Sequence, residues 1–578
     1  MTKVVKVFAA AGFIALGVLT GGVTFLPGTA LAFTVGSATF LTVGLAIGAS
    51  LLQGSLQNGQ LDRAAAAAQL QLGENPRAAV VGRSGLAGTL VDAFNFGGDD
   101  GTDWEVLVVA LADHECDALE GFYVNDAYSA FTGDGPVAGF NGQLEVYWRP
   151  GTWDQDVPQI LIDHGPGWTA NDRGRGVSYA VFAYKADEPE AEDPVWPAGR
   201  PRFKCQLRGL KCYQARLDDT VGGSGTHRID DPSTWGWTEN LIDIRYNWVR
   251  GIYAGNRNDQ PEMLLIGRGL SATEAPPENV FARANLCDEI VDGEPRYAIG
   301  GLIQANESFL EVERAFAAAC AGTIVQREGS VEIDPGAAQA VVATFTDDDL
   351  ITSSRVSWSE FLGQDDNNSV NTVVVRFIDP AQQWTERSAP VRRDTADVIA
   401  DGGPREQSPS LSLVSSVNQA QRVAEIFRRL GRLWGRASVT LPPRYTFIEE
   451  GDWVKWQSAR RFNGATKTFR VEAWTSAQNW HHQLTLREIN SSVFLETAPE
   501  PDNAIANQST APGAAAAPDA ADFASIGGEI AGTNGAIPAV FIDGTVSRSN
   551  VDRVRFEIRE QADPGSELPW EQVKELGR

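Results

Sequence analysis

Asn371-Thr-Val-Val-Val-Arg-Phe-Ile-Asp-Pro380 is the stretch on which the reading of this chain turns. Val370 to Phe377 is a run of β-branched and aromatic residues, the types that fit a pleated, half-buried surface. Asp379-Pro380 ends it, because proline cannot donate to a ladder. Downstream, the spacing predicts a long helix over 418–436. Val423, Ile426, Phe427, Leu430 and Leu433 form its core face, and Arg422, Arg428, Arg429, Arg432 and Arg436 lie elsewhere on its surface. Strands are expected after it at 437–441, 452–456, 467–474 and 482–487, each short and apolar. Upstream, Phe309, Val312, Phe316 and Cys320 repeat at the intervals of a buried helical stripe, with Asn306 as candidate N-cap and Gly322 as C-terminal stop. A hairpin over 324–333 follows, with Glu328-Gly329 at its turn.

The fold class read from this pattern is mainly β with α+β modules. The segments are a β-rich region 73–284 with an insertion near 130–250, an α/β module 285–364, and a β-rich module 365–497 holding the helix 418–436. Within the first region, strands are predicted at 104–112, 122–127, 144–149, 177–185 and 201–207. Residues 233–254 are rich in Trp and Tyr; Leu241, Trp248 and Ile252 can share a helical face, so they read as core. Ala, Pro, Asp, Asn and Ser dominate 498–522, a linker composition. The last segment, 523–578, shows strands at 539–543 and 551–559. These are too few for a sandwich, so a neighbouring chain is expected to complete it.

Residues 1–72 are different in kind. Up to Leu61 the only charged side chains are Lys3 and Lys6, and the first acid is Asp62. Two apolar runs, roughly 4–26 and 32–52, flank Pro27-Gly28, and each is long enough to cross a bilayer as a helix, which takes about 20 residues. Residues 62–72 are strong helix formers and are expected to prolong the second. The reading is a hydrophobic helical hairpin that acts as plug or membrane-inserting transmembrane element. Its apolar faces and turn would be built by Phe8, Phe13, Leu19, Phe25, Pro27, Gly28, Phe40, Leu45 and Leu51. Frequent glycines let such helices approach closely. A cleaved secretory signal, with Ala30-Leu31-Ala32 as the cleavage site, is the competing reading.

The formal net charge is −27, with 75 acidic against 48 basic residues. That disfavours nucleic acid as the main partner, since phosphate binding needs a basic surface. Against so acidic a background, the arginines of helix 418–436 are candidates for a salt-bridge seam between subunits, with a solvated face as the alternative. The five cysteines are scattered; Cys205 and Cys212 could bridge a short loop, but the favoured reading is buried thiols, and neither metal nor cofactor is expected. No P-loop, GxSxG, HExxH or EF-hand loop occurs. His114 and Cys116 have no partner at ligand spacing, and His481 and His482 would point to opposite faces of a strand. Asp347 to Asp349 is a weak candidate cation loop. No catalytic set emerges, so the chain is not read as an enzyme.

Residues 290–456 resemble the tip attachment protein J family of long-tailed (siphovirus-type) bacteriophages and the related baseplate hub proteins. The resemblance rests on an ordered series. It comprises Pro295-Arg296-Tyr297, the helix from Phe309 to Cys320, the hairpin around Arg327-Glu328-Gly329 and the strand at Asn371 to Pro380. Gln382-Gln-Trp, the Ala-Arg-rich helix and Glu450-Gly451-Asp452-Trp453-Val454 complete it. It implies a homotrimeric hub of β-barrel-like domains at the tail tip of a virion. The neighbours would be a distal tail protein, a tape-measure protein and tail fibre or receptor-binding proteins. On that basis the chain closes the tail tube and takes part in host attachment and genome ejection; the N-terminal hairpin, which the typical family member lacks, is expected to serve as plug or to meet the host membrane. Two other classes compete: a tail-associated cell-wall hydrolase, and a membrane-anchored bacterial surface protein with a β-rich ectodomain.

Overall fold

In the strand Trp104–Ala112, successive side chains serve two different cores. Leu107, Val109 and Leu111 are buried with Phe122 and Phe182, whereas Val106 and Val108 are buried with Ile160 and Leu161. A strand covered on both faces reads as a continuous apolar run, and this one does. It is second in a five-stranded sheet ordered Thr89–Phe96, Trp104–Ala112, Ser178–Lys185, Leu144–Arg149 and Gly135–Pro136. A second sheet, centred on Phe203–Cys212 and Cys116–Val124, shares the Phe122–Phe182 core with it. The short helix Gln159–His164 covers the other face of the first sheet.

The computed structural model describes residues 70–502 except 73–74, 100, 188–193, 198, 255–262, 328, 361–368 and 477–478. Outside that span it describes only the backbone of Ala32–Val35, Ala38–Leu41, Phe523–Gly532, Gly535–Gly544, Arg553–Ile558 and Glu571–Gly577. The chain divides into two compact units, Met1–Ala506 and Asn507–Arg578. The helical hairpin expected over 1–72 lies outside the described residues, apart from a backbone pairing of Ala32–Val35 with Ala38–Leu41. The described end of 62–72 is extended rather than helical: the Gln71 N–H donates to the Gly88 carbonyl, and the Gln71 carbonyl accepts from Leu90. Tertiary pairing there overrides an intrinsic helix preference.

Three helices carry the largest core. α1 spans Leu241–Arg250, α2 spans Phe309–Ala319 and α3 spans Val417–Leu430. The Asn240 side chain caps α1 by accepting from the Ile242 and Asp243 N–H groups. Gly251, at φ +98°, ends it, so Ile252 begins a strand rather than sharing the helical face expected for it. α2 starts from Ser308, not Asn306; Ser308 and Glu311 form a reciprocal capping box. The hairpin Thr323–Arg327 with Ser330–Asp334 follows, its turn at Gly329 with φ +86°. α3 is shorter than the 418–436 expected. The Gly431 N–H donates to Phe427 at its end, and Arg436 opens the next strand.

The stretch that opened this reading is not one strand but two. Thr372–Val373 pairs with Arg392–Arg393 and Glu406–Gln407, and Arg376–Asp379 pairs with Thr385–Ser388 and Ser410–Leu411. Val373, Val375 and Phe377 nonetheless keep strict alternation into the core shared with Val423 and Phe427 of α3. The apolar face is preserved while the backbone changes partners.

The largest sheet runs Val341–Thr346, Trp453–Gln457, Thr466–Ser476, His482–Glu488, Arg436–Leu441 and Ser357–Ser359. Its core is Trp456 with Phe345, Phe469, Val439, Val454 and Leu484. The two terminal strands do not pair with each other, and no described sheet closes into a barrel, contrary to the β-barrel-like domains that the resemblance implies. The Asn507–Arg578 unit holds two antiparallel pairs, Phe523–Gly532 with Gly535–Gly544 and Arg553–Ile558 with Glu571–Gly577. The first of these strands is glycine-rich and the last is charged, and neither is among those expected from the sequence.

Candidate functional site

Of the five candidate interface arginines on the expected helix 418–436, the structure places four, Arg422, Arg428, Arg429 and Arg432, against carboxylates and carbonyls of their own chain. Arg422 is buried; it donates to the Arg296 carbonyl (2.7 Å) and lies 3.6–3.7 Å from Glu496, Asp292 and Glu294. Arg428 grips Glu425 through two nitrogens (2.8 and 3.0 Å) and reaches Asp397 at 3.2 Å. Arg429 pairs with Glu425 (2.7 Å) and donates to the carbonyls of Ser492, Val493 and Leu495. Arg432 sits 2.7 Å from Asp401. Arg436 is exposed at the start of its strand. Burial alone would raise the Glu425 carboxyl; the hydrogen bond and charge of Arg428, with Arg429 and Arg392, bring it below its ordinary value.

The result is a clasp on residues 491–502, the last described stretch before the second unit. Gln421 donates to the Glu500 carbonyl (3.1 Å) and accepts from the Glu500 N–H (2.7 Å). Arg387 reaches Asp502 at 3.1 Å, and Arg296 reaches Glu496 at 2.5 Å. The beginning of the stretch with linker composition is therefore docked. Composition could not reveal this, because the partners lie about 70 or more positions away in sequence.

The other residues weighed from sequence have structural roles. His114 is buried; its Nε2 accepts from the Val80 N–H (2.9 Å) and its Nδ1 lies 2.8 Å from the Glu115 carbonyl. Burial lowers its pKa. Cys116 is buried and its thiol is pushed up to about 12 by that burial. His482 is buried against the Ile448 carbonyl, away from His481. Asp347 accepts from Trp456, Ser458 and Arg460, and Asp349 accepts from Thr346. Among the described residues no group of three or more His, Cys, Asp or Glu is placed to hold a metal ion.

Two features were not foreseen. One is a buried ion pair linking α1 to α2, Arg245 with Glu313, at 2.7 Å through both guanidinium contacts. The other is an open cleft of about 610 Å³ where the β-sandwich meets α1. Trp153, Trp235 and Tyr253 bring aromatic surface to it, and Glu115, Lys211 and Asp231 bring charge. Gln155, also buried, fixes one wall. It accepts from the Gly151 N–H (2.7 Å) and donates to the carbonyls of Arg173, Gly174 and Val177. The other wall is fixed by Trp235, which donates to the Arg228 carbonyl (2.8 Å), and by Asp231, which caps Ser233. The only sequence signal is the density of aromatics over 233–254, which reads as core rather than as a ligand cage.

Residues 314–474, from within α2 to the long strand of the six-stranded sheet, match the family Phage-tail_3, described as "Putative phage tail protein". That part of the chain has the sequence character of a phage tail protein. Among solved structures, the chain is similar to one in the virion of a native gene transfer agent particle, at 16% identity and TM-score 0.47, covering 75% of this chain and 89% of that one. It is also similar to a tail protein from Neisseria meningitidis MC58, at 11% identity and TM-score 0.26, covering 68% and 98%. A prophage tail protein, gp18, from Listeria monocytogenes EGD-e is a third, at 12% identity and TM-score 0.21, covering 66% and 84%. No curated protein matches.

Proposed function

We propose that this chain is a structural protein of a bacteriophage tail, placed at the tail tip as the hub that closes the tube. The observation that carries the reading is the match over 314–474 to a phage tail protein family, in the segment that packs α2 and α3 together. In this reading the hub is a homotrimer. It contacts a distal tail protein, a tape-measure protein and fibre or receptor-binding proteins, and it takes part in host attachment and genome ejection. The uncharged N-terminal segment is its plug or its membrane-inserting element. The charge of −27 suits a particle surface kept soluble by repulsion.

Two experiments test this. Antibody labelling of purified particles from the producing host should decorate one end of the tail; label on the capsid, or none on any particle, rejects the hub. Purified full-length protein should then release dye from liposomes, and protein lacking residues 1–60 should not. Equal leakage from both rejects the insertion role and leaves the hub standing.

A further inference from the structure

We propose that the cleft beside α1 binds a neutral oligosaccharide. The proposal stands on the cleft alone and does not depend on the tail-tip reading. At about 610 Å³ the cleft lies within the roughly 300–1,000 Å³ range of ligand sites. Its walls are already in place. Gln155, buried, spends its amide on four backbone groups of one wall, and the Asp231–Ser233 turn with the Trp235 indole N–H holds the other. A preformed site loses little freedom on binding.

The chemistry of the lining selects the ligand class. Glu115 and Lys211 face each other at 2.5 Å, so the charges on the sandwich side compensate one another. Beyond that pair the rim carries two acids, Asp230 and Asp231, against one cation, Arg175, which lies 5.9 Å over the Trp153 ring, so no net positive charge is offered to a phosphate or other anion. Three aromatic rings and a compensated ion pair suit a molecule with both apolar faces and many hydroxyls. The C–H faces of pyranose rings lie on indole and phenol surfaces, while the hydroxyls exchange hydrogen bonds with carboxylate and ammonium. Gly176 leaves room in the cleft; an added Cβ there would meet nothing nearer than the Trp153 ring, at 3.9 Å.

Saturation-transfer NMR and titration calorimetry on the full chain test this, with chitotriose, maltotriose, cellotriose and mannotriose as probes and trilysine as the cationic control. At least one trisaccharide should bind saturably at millimolar concentration or below. Trp153→Ala should weaken it about tenfold or more, as expected for loss of an aromatic face. Asp230→Asn, at an exposed position, should weaken it severalfold without altering the fold, and serves if Trp153→Ala does not fold. Trp480→Ala, at an exposed site elsewhere, should bind as wild type. Binding of none of the four sugars, tighter binding of trilysine, or an equal loss in Trp480→Ala overturns the assignment.

Discussion

Removing Glu313 tests whether the α1–α2 contact is held by its ion pair. Glu313 is fully buried and the Arg245 side chain is 8% exposed. The two meet through parallel contacts of 2.7 Å, and Arg245 also donates to the Val331 carbonyl at 2.7 Å, tying in the hairpin. A second cation, Arg268, lies over the Phe309 ring and is lowered from its ordinary pKa, chiefly by burial and opposed by the charge of Glu313. Glu313→Ala therefore strands a buried guanidinium and exposes Arg268 to unrelieved repulsion from Arg245. Breaking one side of a buried pair costs about 3–5 kcal/mol, a large part of the roughly 5–15 kcal/mol that holds a typical domain. Replacing both partners, as Arg245→Met with Glu313→Leu, removes the stranded charge and should cost much less than Glu313→Ala alone. Urea titration followed by tryptophan fluorescence reads the midpoint of the transition that includes α1 and α2. If Glu313→Ala costs under about 1 kcal/mol, or the double replacement costs as much as the single change, the pair is not what holds these helices together.

Glu450 supplies a pH signature. Its carboxyl is raised from 4.5 to about 7, mainly by burial, with Gln326, Arg470 and Arg327 pulling it back and Glu472 adding to the rise. A raised folded value means that the folded state binds the extra proton, so the contribution of this one group is fully present below about pH 4.5 and is lost as pH climbs through 7. Glu450→Gln should flatten that part of the stability profile; an unchanged slope counts against the assignment. Ser308→Ala should cost about 1 kcal/mol by removing the cap of α2, measured by thermal melting. All five cysteines are buried and unpaired, with the thiols of Cys116, Cys205 and Cys320 pushed up to about 12. Native protein should resist iodoacetamide and take up label at every site once unfolded. Arg429→Ala removes three carbonyl contacts on the clasp and should speed hydrogen exchange over 492–497 while leaving α1 protected; exchange unchanged there refutes the clasp.

What could be read from the sequence follows from periodicity. Strands such as Leu144–Arg149, helices such as α2 and α3, and the hairpin turn at Gly329 show themselves because burial of one face imposes a period of two or 3.6 on neighbouring residues. Ends were less legible. α3 stops at Leu430, where the four-residue bonds give way to three-residue turns, Arg432 N–H to Arg429 and Leu433 N–H to Leu430, although arginines and apolar residues continue the helical pattern to Arg436.

The local sequence by itself determined the mainly β class and the position of the long helices. It also marked the discontinuity between the uncharged start and the acidic body. Tertiary structure alone decided the rest. Val373, Val375 and Phe377 alternate into one core although the stretch is split between two small sheets, because alternation specifies a buried face and not a partner. Arg422 and Arg429 became part of a clasp on 491–502, and Trp153, Trp235 and Tyr253 came together around one cleft. Charge and aromatic surface act through space, and in this chain the groups they act on are separated by tens to more than a hundred residues.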